Sequence, residues 1–126
     1  MSMARLIYTS ETLSEPAAGK AKSHMPQVTA PNTVKAGEPF KVTITIGPHP
    51  NQAQHSIRWI EVYYSEEGRD FNPVFLARVE LAPEYAEPQV ELTFRLKRTG
   101  TLHVLGYCNL HGVWEATKHI KVEEGG

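Results

Sequence analysis

The chain is nearly devoid of cysteine. Cys108 stands alone among 126 residues, so no internal disulfide can form and a disulfide-stapled scaffold is excluded. Charge of one sign is not in excess either. Thirteen Lys and Arg against 14 Asp and Glu leave a formal net charge of -1. No global field draws in nucleic acid or an acidic membrane, and no basic patch with interleaved aromatics is present. Long apolar runs are missing as well. The opening MSMARLIYTS is too short in apolar residues for a secretory signal, and nothing later approaches a membrane span. A lone thiol without an export signal leads us to expect a reducing, cytoplasmic home. Finally, no ten-residue stretch carries convincing helical spacing.

What remains is β-periodicity. Pro39–Ile46 alternates Phe40, Val42, Ile44 and Ile46 against polar neighbours, and Gln89–Lys97 does the same with Val90, Leu92, Phe94 and Leu96. Such period-two alternation means one face buried and one face wet. Ile57–Tyr64 and Val74–Leu81 alternate less cleanly, as more central strands do, and Thr101–Tyr107 and Ala116–Val122 complete the set. Val28–Lys35 reads as an edge strand, since its Pro31 cannot serve a central one. Turn residues punctuate the runs, and Lys97–Gly100 is short enough for a hairpin. About seven short strands in roughly a hundred residues predict an all-β, immunoglobulin-like antiparallel sandwich. Residues 1–23 read as an irregular arm leading into a loop, and residues 24–126 as the one domain.

The chemistry sits in the histidines and the cysteine. Cys108 can be an inert core side chain, a nucleophile or one ligand of a metal. Of six histidines, His103 and His119 obey the alternation of their strands and need no chemical role. The other four fall in loops or at strand ends. His49 and His55 flank HPNQAQH, His24 precedes Pro26 in KSHMP, and His111 follows Cys108 by three positions in CNLHG. Gly112 permits the sharp turn that brings sulfur and imidazole together. A loop-borne set of four imidazoles and one thiol is the pattern of a metal site.

The ligand count selects the metal. Four imidazoles and a thiolate are too many for tetrahedral structural zinc. Blue copper wants an axial methionine after the last histidine, yet Met1, Met3 and Met25 all lie upstream of Cys108. Five N/S ligands leave one open position on an octahedral ion, and iron suits that best.

KSHMP, HPNQAQHSIRWIEVYY and YCNLHGVWE together resemble the superoxide reductases, the neelaredoxin and desulfoferrodoxin group, over roughly Lys20 to Val122. The resemblance implies a non-haem iron with His24, His49, His55 and His111 as equatorial ligands and Cys108 as axial ligand. It implies reduction of superoxide to hydrogen peroxide, with a rubredoxin-like or other one-electron donor. Backbone donors around Asn109 and Leu110 would tune the sulfur, and Trp114 would pack over the site or serve as plain core. With no second cysteine, the four-cysteine domain of desulfoferrodoxin is absent and the single-iron type, in a homo-oligomer, is expected. One departure stands out. The family's Glu-Lys before the loop histidine is Lys22-Ser23 here, so the carboxylate is gone and the lysine has moved by one residue. Lys22 is therefore the candidate for steering an anionic substrate, against the alternative of a solvated loop lysine. A non-catalytic iron-binding sandwich, acting as a sensor or partner-binding module, is the competing function.

Overall fold

A computed structural model describes residues 2–13 and 17–124. Among the described residues, eight strands form two sheets: β1 (Gln27–Thr29), β2 (Thr33–Lys35), β3 (Phe40–Thr45), β4 (Ile57–Glu66), β5 (Val74–Glu80), β6 (Gln89–Phe94), β7 (Gly100–Cys108) and β8 (Gly112–Glu123). One sheet runs β1-β3-β6 and the other β2-β8-β7-β4-β5. The core lies between them. Val42 and Ile44 of β3 face Ile60, Val62 and Tyr64 of β4 and Leu102 and Val104 of β7, all essentially inaccessible to water. The all-β sandwich expected from the alternation is what folds.

Local physics accounts for the differences in detail. The segment expected as one edge strand is two, because the chain changes sheets at Pro31: β1 pairs antiparallel with β3, and β2 pairs with β8. The β2–β8 pair is parallel, an exception among antiparallel partners. No hairpin forms at Lys97–Gly100. β6 belongs to the smaller sheet and β7 to the larger, so the segment between them crosses over. Leu96, buried at that point, draws the chain across, and the Tyr64 hydroxyl fixes it by donating to the Arg98 carbonyl at 2.5 Å. Of the two strands read as more central, β4 lies between β7 and β5, but β5 is the outer strand. Its uneven pattern comes from that exposed edge, which carries Arg78 paired with Glu61 and Glu80.

The long pair β7–β8 positions the site. Leu102, Val104, Gly106 and Cys108 alternate onto the buried face of β7, so the thiol emerges at the end of the core. A Cβ at Gly106 would come within 2.3 Å of Ile46 Cδ1, so glycine allows β3 and β7 to close at this end. Cys108 pairs with Gly112, whose φ of +86° turns the hairpin carrying His111. Before the first strand, a 3-10 turn (Ala17–Lys20) runs into the short helix α1 (Ala21–His24). Further upstream, Tyr8 bridges to Trp114 of β8, with Tyr8 N donating to Val113 O and Glu115 N to Tyr8 O. Among the described residues, no helix is long and apolar enough to cross a membrane.

Candidate metal centre

Four imidazoles close a ring at the end of the sandwich. Ring centroids lie 4.6 Å apart for His24–His49, 4.8 Å for His49–His55, 5.1 Å for His55–His111 and 4.9 Å for His111–His24. Neighbouring rings stand at steep angles, between 70° and 90°. His24 Nε2 is 3.1 Å from His49 Nε2 and 3.2 Å from His111 Nδ1. Two nitrogens each about 2.1 Å from one ion and at right angles stand about 3 Å apart. The observed spacing therefore fits neighbouring corners of a square. Cys108 Sγ joins the set 3.7 Å from His111 Nδ1, and one donor atom each of His24, His49, His55 and Cys108 fall within 4.8 Å of one another.

The outward nitrogens decide what the inward ones can do. His24 Nδ1 lies 2.9 Å from the Lys20 carbonyl, and His49 Nδ1 lies 2.7 Å from that of Pro50. A carbonyl only accepts, so each Nδ1 carries the proton and each Nε2 a lone pair. Two lone pairs thus face each other across 3.1 Å, which is unfavourable unless a cation lies between them. His55 Nε2 is buried with no hydrogen-bond partner at all. Orphaned buried nitrogens are rare, and this one fits a donor to a metal ion. Burial, foremost, and the neighbouring imidazoles push the His24 pKa down to about 4 against the pull of the Lys20 carbonyl. His49 and His111 are also lowered, burial again being the main cause. The lowered values keep His24, His49 and His111 neutral near pH 7, which is the form that binds metal.

Neighbouring loops hold this geometry. The Asn109 carboxamide accepts from Ser56 N and donates to Gln54 O, both at 2.9 Å, tying the flanks of His55 to the end of β7. Asn51, between His49 and His55, accepts from Glu84 N at 2.7 Å and donates to Ala86 O. These carboxamides escaped sequence reading because an asparagine in a loop looks like ordinary turn chemistry. The Asn109 N–H, expected near the sulfur, donates to Ser56 O instead. Trp114 is both core and cover: it is buried, 5.2 Å from the His24 ring, and its Nε1–H donates to His111 O at 3.0 Å.

Lys20 and Lys22, the two lysines shortly before His24, are both exposed. Lys22 lies on α1. Lys20 lines a cavity of about 450 Å³ with His111, Trp114, Tyr8 and Leu110, and its charge helps lower the His111 pKa. Its sequence signal is the helical spacing to His24, four residues on, which makes its carbonyl the acceptor for that ring. His103 and His119 stay apart from the cluster. His103 bridges Ser65 Oγ and Glu115 Oε2, each at 2.8 Å, and His119 is exposed on β8.

Known proteins share this arrangement of sequence and fold. The desulfoferrodoxin family profile matches residues 16–117. A superoxide reductase of Pyrococcus horikoshii is 36% identical over 102 residues, covering 76% of this chain and 85% of its own. The neelaredoxin of Megalodesulfovibrio gigas is 32% identical over 118 residues, covering 82% and 91%. Among solved structures, superoxide reductase (neelaredoxin) from Ignicoccus hospitalis superposes with a TM-score of 0.92 at 55% identity, covering 98% of this chain and all of that one. A match across most of the domain, on a sandwich whose histidine ring and thiol meet at one end, means that the chain belongs to the desulfoferrodoxin family.

Proposed function

We propose that the chain is a superoxide reductase, reducing superoxide to hydrogen peroxide at one non-haem iron held by His24, His49, His55, His111 and Cys108. The carrying observation is the pair of Nε2 lone pairs facing each other at 3.1 Å, with His55 Nε2 unpartnered beside them and a thiol in reach. Imidazole and thiolate donors with no carboxylate among them suit iron.

Superoxide, one electron and two protons make hydrogen peroxide. Iron held by these residues would supply the electron. The protein's part is electrostatic and steric. Cys108, as thiolate, gives electron density to the centre from within the core. Lys20, on the wall of the cavity beside His111, offers the positive potential that attracts an anion, a role expected of Lys22 from sequence. Trp114 covers the His24 side and keeps bulk water from it. The Asn51 and Asn109 bonds hold the loop with two of the imidazoles, so that little reorganises during turnover.

A rubredoxin-like or other one-electron protein is the proposed donor, in the cytoplasm, with the chain assembled as a homo-oligomer. Pulse radiolysis of the iron-loaded, reduced protein tests the activity. One hydrogen peroxide should appear per superoxide consumed, without release of dioxygen. Lys20→Ala should slow the reaction several-fold at low ionic strength and less at high salt, while Lys22→Ala changes it little. Iron bound without any reaction with superoxide would overturn the enzymatic reading in favour of a non-catalytic iron-binding sandwich.

A further inference from the structure

The proposed reaction makes hydrogen peroxide next to a ferrous ion and a thiolate. Peroxide reacting there a second time withdraws electrons from whatever group gives them up most readily. Cys108, fully buried and a ligand, would otherwise stand first in line for oxidation. An aromatic path leads away from the site at His24. The Trp114 ring lies 5.2 Å from the ring of His24, and the Tyr8 ring lies 4.7 Å from Trp114 at an angle of 34°. Both centroid separations lie in the range of interacting aromatic pairs. The stack is held in place, because the backbone of Tyr8 is bonded on both sides to β8 at Val113 and Glu115.

Building on the iron reading above, we infer that Trp114 and Tyr8 form a redox relay that passes oxidising equivalents from the metal site out to the phenol of Tyr8. The step balances when hydrogen peroxide is the oxidant. Its O–O bond breaks and takes up two electrons, one from ferrous iron and one from Tyr8. Peroxide, ferrous iron, the Tyr8 phenol and one proton give two waters, ferric iron and a neutral Tyr8 phenoxyl radical. Trp114 only conducts. Its Nε1–H donates to a carbonyl, that of His111, which is too weak a base to accept the proton, so the charge does not rest there. Tyr8 lines the cavity of about 450 Å³ that it shares with Lys20, Leu110 and Gly112, where a phenolic proton can leave to water. A second aromatic pair, Trp59 and Tyr107, stacks at 5.4 Å without contacting any imidazole of the cluster, and so serves as an internal control.

The experiment mixes iron-loaded, reduced protein with hydrogen peroxide under anaerobic conditions, freezes it within milliseconds to seconds, and records the electron paramagnetic resonance spectrum. A tyrosyl-type radical is expected in the wild type and in Tyr107→Phe. Tyr8→Phe keeps the ring and its stacking but has no phenolic proton to lose, so the tyrosyl signal should vanish. Peptide mass analysis of Tyr8→Phe should show several-fold more oxygen added to Trp114 and Cys108 than in the wild type. Absence of a radical from wild type that has bound iron, or an undiminished signal in Tyr8→Phe, overturns the relay and leaves the iron reading standing. Failure of the wild type to bind iron, read beforehand by metal analysis, overturns both.

Discussion

Two groups of histidines in this molecule sit under opposite conditions. On the outer face of the larger sheet, both ring nitrogens of His103 have partners, Ser65 and Glu115, each at 2.8 Å. That ring is complete within the protein. At the end of the sandwich, His24 and His49 satisfy only their outward nitrogens and direct lone pairs at each other, while His55 Nε2 has no partner. Residue type alone does not separate the two groups, although His103 and His119 lie inside β7 and β8 and the other four in α1 or in loops. Satisfaction of the ring nitrogens does. A polar group that the fold buries and leaves unpaired is destabilising unless something outside the chain completes it. The cluster is arranged for an ion, and the His103 network is arranged for itself.

The contrast can be tested from either side. The largest effect is expected at the orphaned ring. His55→Ala removes a donor that has no other use, and iron retention in a competition assay should fall by more than about 100-fold, beyond what loss of an outer partner does. Iron retention within a few-fold of wild type would mean that His55 is not a ligand.

Acid should act next, and on the metal-free protein. His24 has its pKa lowered from 6.5 to about 4, with His49 and His111 lowered as well. Above pH 6.5 these rings are neutral in the folded and unfolded chain alike. As pH falls, the unfolded chain binds protons first, so the stability these rings contribute is lost progressively between pH 6.5 and about 4. Urea unfolding of the metal-free protein across this range should show the midpoint falling with acid. A flat profile would contradict the lowered values.

The smallest effect belongs to the self-contained network. His103→Gln should leave iron content and the visible spectrum unchanged, and cost about 1 kcal/mol in urea unfolding through its lost hydrogen bonds. Loss of iron in this variant would erase the distinction between the two groups.

The alternation of Val42 and Ile44, and of Leu102 and Val104, made the sandwich legible in the sequence, because burial of one strand face leaves a period-two trace. The cluster was legible for a related reason: histidines that break the alternation gather in loops at one end. Non-local matters were hidden. That residues 95–99 cross between sheets depends on Leu96 finding the core, and that β2 lies parallel to β8 depends on where Pro31 sends the chain. Which lysine near His24 lines the cavity was hidden too: Lys20 does, with His111 and Trp114. Lys20 ends the 3-10 turn before α1 and Lys22 lies on α1, both exposed. Asn51 and Asn109 act on segments more than thirty and fifty residues away, and no local pattern announces such contacts.

The central claim is that Cys108 and the four imidazoles hold one iron together, and the visible spectrum of the oxidised protein alongside metal analysis tests it most directly. One iron per chain and a blue thiolate-to-ferric charge-transfer band are predicted, with Cys108→Ser losing the band even where the imidazoles retain the metal. A colourless protein carrying zinc, or a band that survives Cys108→Ser unchanged, would contradict the account.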